Sequence, residues 1–325
     1  MRFLRAADYA DALAKNIPGA RQRVVINAAN FLWGGKLDAF IPLLREAADR
    51  GVEVRVVGDI YSKFAAKVPR PNRGQSVIHP WRAITEINDD LQRHGVHITY
   101  VGKLGLNPYS RRIHSKITLV DDTIYTFGGV NFGDDMFTNH DYMLTMRDPI
   151  LADRLYRLIR DIEKNQPVPL PDLEEQLGGT ATLLFDGGTP GTSVIYDAAC
   201  QVVASAKKVY YVSQMCPSGR LAKLLNATDN ECYFIRPAQA DPPANAALAF
   251  DQWRFRVKNL YQAPRYIHAK FILTEDKNGS KHVISGSNNF SWRGVAYGTK
   301  EIAVHSTDPA LWQQLYDFLQ RDIKQ

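Results

Sequence analysis

The sequence predicts an α/β chain made of two similar halves that build one shared site. Three observations carry this. A pattern of His-x-Lys, four residues, an acid, and then a Gly-containing turn ending in Asn occurs twice, roughly half a chain apart. Strand-like and helix-like segments follow one another in the same order around both copies. A Pro- and Gly-rich stretch lies between the two sets.

The first half begins with Arg23-Val24-Val25-Ile26-Asn27, a β-branched run that reads as a strand. Leu37 to Arg50 reads as a helix starting close to Pro42, because proline fits only a first turn. Gly51 to Val57 reads as the next strand. His114 and Lys116 sit among Ile113, Ile117, Leu119 and Val120, which favours a strand. Positions i and i+2 of a strand share a face, so both side chains would project together. Asp121 and the turn Gly128-Gly129-Val130-Asn131 follow. Asp141 then opens a strand, Tyr142-Met143-Leu144. Asp148-Pro149 starts a helix, with Asp as N-cap and Pro at the first helical position. Ile150, Leu151, Leu155, Leu158, Ile159 and Ile162 mark its periodic apolar positions.

The first lobe is expected over residues 1–165 and the second over 181–325. Asn165-Gln166-Pro167-Val168-Pro169-Leu170-Pro171 cannot continue the helix, and Glu174 to Thr180 completes a linker over 166–180. Ala181 to Phe185 opens the second lobe, followed by a helix from about Ser193 to Ala206. Val209 to Ser213 and Glu231 to Ile235 match the early strands of the first lobe, with a helix at Leu221 to Leu225 between them. His268 and Lys270 repeat the motif among Ile267, Phe271, Ile272 and Leu273. Glu275 is its acid, and Asn278-Gly279 signals a hairpin turn. Gly286-Ser287-Asn288-Asn289 is the second turn, Glu301 opens the strand after it, and Asp308-Pro309 starts the last helix.

These residue types converge on one chemistry. Lysine ammonium groups and Asn amides suit the non-bridging oxygens of a phosphate. One histidine can attack phosphorus while the other protonates the leaving oxygen. The lysines supply positive charge, so no metal is required. A lone His-x-Lys would be uninformative; two copies in register, with matching followers, are not.

With these residues in place, the sequence resembles the phospholipase D superfamily in its two-motif, single-chain form, over essentially the whole chain. The resemblance implies two similar α/β/α lobes related by a pseudo-twofold axis, a phospholipase D-like sandwich with the active site at the lobe interface. It also implies a covalent phosphohistidine and no metal or other cofactor. The catalytic histidines fall on His114 and His268, the lysines on Lys116 and Lys270, and the asparagines on Asn131 and Asn289. Asp141 and Glu301 are the orienting acids, paired crosswise: Glu301 with His114, Asp141 with His268. The usual order in the family makes His114 the nucleophile and His268 the acid. Asp121 and Glu275, the motif acids, would be structural and remote from the phosphate. Glu275 stands where Asp is usual, and Ser287 has Gly129 as its counterpart, so only one half offers a hydroxyl to a phosphate. No histidine, lysine or asparagine is missing, and an active enzyme is expected.

Composition narrows the substrate less. A formal net charge of +6 over 325 residues suits an anionic partner, either phospholipid or nucleic acid. No apolar run approaches the roughly 20 residues of a membrane span, so membrane contact would be peripheral. Met1 to Asp8 lacks the apolar core of a secretion signal, which points to a cytoplasmic enzyme. Cys200, Cys216 and Cys232 lack metal-ligand spacing. Basic and aromatic residues mix in Tyr61 to Arg73 and alternate in Trp253-Arg254-Phe255-Arg256-Val257-Lys258, which reads as a substrate surface or an amphipathic strand. Arg111 and Arg112 are expected either to flank the substrate mouth or to lie on a solvated loop. The expected function is phospholipid headgroup transfer or hydrolysis at an anionic membrane surface. It resembles the cardiolipin synthase branch, a phosphatidyltransferase or phospholipase D-type hydrolase. The alternative is a metal-independent nuclease. Compact nucleases of the superfamily more often carry one motif and dimerise, whereas both motifs here lie in one chain and imply a monomer.

Overall fold

The computed structural model describes residues 1–66, 77–102, 110–240 and 242–324. Its strands form two seven-stranded sheets. The first holds β1 (Arg2–Arg5), β2 (Arg23–Ala28), β3 (Glu53–Asp59), β4 (His97–Val101), β5 (Ile117–Val120), β6 (Thr123–Thr126) and β7 (Tyr142–Arg147). The second holds β8 (Leu173–Gln176), β9 (Ala181–Gly187), β10 (Ala206–Val212), β11 (Asp229–Tyr233), β12 (Phe271–Asp276), β13 (Lys281–Gly286) and β14 (Lys300–Ser306). The spatial orders are β1-β7-β6-β5-β2-β3-β4 and, read from the matching edge, β8-β9-β14-β13-β12-β10-β11. The run β1-β7-β6-β5-β2-β3 therefore corresponds strand by strand to β9-β14-β13-β12-β10-β11. β4 extends the first sheet beyond β3, whereas β8 extends the second beyond β9. The parallel pairs β2/β3 and β10/β11 also correspond.

Helices cover both sheets, which explains the unbroken apolar runs of their central strands. They are α1 (Ala6–Asn16), α2 (Phe40–Asp49), α3 (Ser62–Ala65), α4 (Trp81–Arg93), α5 (Pro149–Lys164), α6 (Val194–Ser205), α7 (Arg220–Asn226), α8 (Pro242–Phe255), α9 (Trp292–Tyr297) and α10 (Pro309–Phe318). Their starts obey local capping chemistry. Asp148 accepts from the Leu151 N–H at 3.0 Å, Ser193 from Tyr196 at 2.9 Å, and Asp308 from Ala310 at 2.9 Å. One buried cluster runs through both lobes, from Ile117, Leu119 and α5 to Phe271, Ile302 and α10. At the seam Tyr142 packs edge-on against Phe271 with ring centroids 5.8 Å apart, and Phe3 meets Phe318 at 5.0 Å.

Four expectations need correction. His114 and Lys116 precede β5, and His268 and Lys270 precede β12, because these segments leave their own sheets to pair with the opposite lobe. Residues 173–176, read as linker, form β8, which satisfies the edge of β9 by antiparallel pairing. The alternating run at Trp253 is no strand: α8 carries it as far as Phe255. Ile150 is 73% exposed, because the buried face of α5 runs through Leu151, Ala152, Leu155, Ile159 and Ile162 and Ile150 falls outside it.

The two motif acids are not equivalent. The Asp121 carboxylate accepts from the backbone N–H groups of Arg21, Gln22 and Arg23 at 3.0, 2.8 and 3.1 Å. It thereby pins the entry of β2 to the β5–β6 turn. Burial raises its pKa, but these donors outweigh that and hold it below the usual carboxylate value. Among the described residues, the Glu275 carboxylate has only a long contact with Lys281, at 3.9 Å. In urea titrations Asp121→Ala should lose about 1–3 kcal/mol, the cost of stranding backbone donors, while Glu275→Ala should stay within about 0.5 kcal/mol. Equal losses at the two positions would contradict this division.

Candidate active site

The lobes are laced together by main-chain hydrogen bonds at the two motifs. The carbonyl of Lys300 accepts from the N–H groups of His114 (2.8 Å) and Ser115 (2.9 Å), and Lys300 N–H donates to the Arg112 carbonyl at 2.8 Å. The counterpart is nearly a copy. The carbonyl of His140 accepts from His268 and Ala269, both at 2.9 Å, and His140 N–H donates to Tyr266 at 2.8 Å. Lys300 and His140 each immediately precede an orienting acid. The lacing therefore carries Glu301 to His114 and Asp141 to His268.

His114 Nδ1 lies 2.9 Å from both carboxylate oxygens of Glu301, and His268 Nδ1 lies 2.7 Å from Asp141 Oδ2. Each histidine thus meets the acid of the opposite lobe, the crosswise arrangement that the resemblance implies. An ionised carboxylate only accepts, so the Nδ1 proton is fixed and Nε2 is the basic nitrogen of a neutral ring. The halves differ in access: the His114 side chain is 21% exposed and that of His268 is 7%. Burial lowers the pKa of His114 against the pull of Glu301. Burial pushes Glu301 up, but His114, Lys116 and the Ser287 hydroxyl outweigh it and hold this acid below its usual value. Asp141 moves the other way, raised by burial despite Lys270 and backbone donors.

Lys116 and Lys270 are both 0% exposed. Lys116 Nζ donates to its own His114 carbonyl at 2.6 Å, and Lys270 Nζ donates to the His268 carbonyl. Burial lowers the Lys116 ammonium to about 7, and Lys270 adds to the effect. The two cations therefore occupy one electrostatic environment with Glu301 and Asp141. Asn131 Oδ1 accepts from Asn30 N–H at 3.2 Å, which leaves its amide nitrogen as a donor. The Asn289 carbonyl is held by Ser213 Oγ at 3.0 Å and Tyr211 OH at 3.3 Å.

The Ser287 expectation changes. Its hydroxyl is fully buried, donates to Glu301 and accepts from Ile302 N–H at 3.0 Å, so it braces the acid. No counterpart fits at Gly129, where a Cβ would sit 2.5 Å from both Asp141 Oδ1 and the His268 carbonyl. Arg112 is buried and paired with Asp59, whereas Arg111 is exposed. Residues 67–73 and 107–109 of the proposed substrate surfaces lie outside the described residues. Asp121 instead holds backbone N–H groups at the entry of β2, and Glu275 lies 3.9 Å from Lys281.

Sequence reasoning missed two supports. Tyr142 OH bonds the Lys270 carbonyl at 3.1 Å and Ser285 Oγ at 2.5 Å, tying the second motif to the first lobe. Asp186 pairs in register with Glu301 and accepts from Ser193 Oγ at 2.6 Å. Burial raises its carboxyl to about 7. An acid closing the apolar run Ala181 to Phe185 was the available signal.

Residues 13–162 match the family model described as cardiolipin synthase, PLD-like domain. No curated protein matches the sequence. Among solved structures, phosphatidylserine synthase of Haemophilus influenzae Rd KW20 is similar over 98% of this chain and 85% of its own, with TM-score 0.70 and 15% identity. Polyphosphate kinase from Porphyromonas gingivalis matches 96% of this chain, which spans 45% of that enzyme, with TM-score 0.61 and 13% identity. The phospholipase D family member Nuc of Salmonella typhimurium covers 50% of this chain and 92% of its own at 18% identity, with TM-score 0.36. At these identities the likeness to solved structures is one of fold.

The buried lysine gives the site a pH signature. With Lys116 near 7 when folded and 10.5 as its ordinary value, the folded protein binds fewer protons than the unfolded chain between these limits. Stability then rises with pH across that window, and the full penalty of the buried cation acts below it. Lys116→Met should remove this rise. The check is the stability difference between wild type and variant in denaturant titrations at pH 7 and pH 10; a difference independent of pH would contradict the assignment.

Proposed function

We propose that this chain, a phospholipase D superfamily member by its matched first lobe and its fold, cleaves and re-forms phosphodiester bonds of phospholipid headgroups through a phosphohistidine. The observation that carries this is a pair of fully buried lysines beside two carboxylate-held histidines. A buried cation is unfavourable until an anion joins it. A phosphodiester supplies that anion and returns Lys116 to its charged form. The two ammonium groups then stabilise charge on the non-bridging oxygens in the transition state.

The chemistry divides into two steps. Nε2 of His114 attacks phosphorus, the bond to the leaving oxygen breaks, and His268 as imidazolium gives that oxygen its proton. An incoming alcohol or water then loses its proton to neutral His268 and attacks phosphorus. The phosphorus–nitrogen bond breaks and His114 is restored. Glu301 and Asp141 orient the rings and stabilise the imidazolium in turn. An alcohol acceptor gives transfer and water gives hydrolysis. The description of the matched family model, with the fold of phosphatidylserine synthase, favours phospholipid over nucleic acid as the phosphodiester. Both histidines come from one chain, which supports a monomer as the working unit. No described helix is long and apolar enough to cross a membrane, and the proposed contact with the lipid surface is peripheral.

Purified protein should release or exchange headgroup from phosphatidylglycerol vesicles, with activity retained in chelator because the lysines supply the charge. Cleavage of labelled single-stranded DNA with no product from phosphatidylglycerol would replace the lipid reading with a nuclease. Complete loss on chelation, restored by magnesium or zinc, would overturn the mechanism.

The two histidines are separated by leaving group. His268→Ala should slow turnover of a poor leaving group by roughly 10²–10⁴-fold and largely spare p-nitrophenol, which needs no acid. Mass spectrometry of quenched enzyme should find the phosphoryl adduct on His114; an adduct on His268 reverses the roles.

A further inference from the structure

A cavity of about 670 Å³ opens in the second lobe, lined by residues of α6, α7, α8 and α9 and including neither histidine. It lies at the catalytic end of the sheet. The segment after β10 joins the two places: Ser213 Oγ holds the Asn289 carbonyl at 3.0 Å, while Ser218 Oγ, five residues on, accepts from Trp292 N–H at 2.8 Å on the cavity wall.

The rim has an unusual composition. Among the described residues, the exposed Phe and Trp side chains all gather here: Phe250 is 47% exposed, Trp253 74% and Trp292 46%. Phe250 and Trp292 line the cavity, and Trp253 packs on Phe250 with ring centroids 5.8 Å apart. The charges are equally one-sided. Asp197 is paired with Arg220 at 2.5 Å, and Asp251 with Arg293 at 2.9 Å. Lys223 and Arg254 remain on the cavity without an ion pair among the described residues. A face of exposed aromatics with uncompensated cations matches the interfacial zone of an anionic bilayer, where rings sit at headgroup depth and cations meet lipid phosphates.

We propose that this rim docks the protein on an anionic phospholipid surface and presents the catalytic mouth to the membrane. The proposal rests on the lipid reading of the site and adds where the surface is met. Because a bilayer is a plane, the rim acts without any change in the histidines.

The test measures co-sedimentation with phosphatidylglycerol vesicles alongside turnover of the soluble substrate bis(p-nitrophenyl) phosphate. Lys223→Ala should weaken vesicle partitioning roughly fivefold, and high salt should erase the difference between wild type and variant. A Phe250→Ala/Trp253→Ala variant should also bind vesicles less tightly and turn over vesicle lipid more slowly, with soluble turnover unchanged, which also shows that the variant is folded. Vesicle binding equal to wild type in both variants would overturn the docking surface while leaving the catalytic reading intact. Weaker binding of single-stranded DNA by both variants, with vesicle binding unaltered, would overturn it in favour of a nucleic-acid surface. Loss of soluble turnover in wild type would instead strike the catalytic reading.

Discussion

The site depends on a reciprocal backbone exchange: one carbonyl in each lobe, at His140 and Lys300, receives two N–H donors from the motif of the other. Main-chain bonds have fixed geometry and little entropy to lose once both strands are set. They place the next residue, Asp141 or Glu301, within hydrogen-bond reach of a histidine whose motif belongs to the opposite sheet. Side-chain lacing alone would leave this distance to rotamers. The price is that His114 and His268 cannot belong to regular strands, because their backbones serve the other lobe.

The same seam explains the electrostatics. Shared apolar packing at Tyr142, Phe271 and Phe318 keeps water from the motif bases, so charges there are weakly screened. Lys116 is driven down toward neutrality. The acids respond unequally because their surroundings differ. Glu301 has the Ser287 hydroxyl and a two-oxygen contact with His114 to favour its charge, whereas Asp141 has neither. Burial thus disfavours the charged form of Lys116, a penalty that the proposed anionic substrate would relieve.

Much of this was legible in the sequence, for identifiable reasons. The repeated motif singled out the histidines and lysines that the structure brings together, while the pairing of Asp141 and Glu301 with them was implied by the resemblance. The helices after Asp148-Pro149 and Asp308-Pro309 were readable because capping is local. What failed was non-local. The strand reading of His114 and His268 rested on apolar neighbours, and nothing local shows that a backbone pairs across the seam. The alternating stretch at Trp253 mimicked strand periodicity at the end of a helix. Ser287 looked available to a ligand until Glu301 and Ile302 took its hydroxyl. Asp186 carried no motif at all.

The six-strand cores match, yet Gly129 is the counterpart of Ser287, Asp141 that of Glu301, and each sheet adds its extra strand at a different edge. In an assembly of two identical chains every substitution would land twice, and both histidines would keep identical surroundings. Joining the halves in one polypeptide breaks that symmetry. Each histidine can acquire its own basicity and access, and the two steps of the proposed displacement, which ask different things of their proton carriers, need no longer share one compromise.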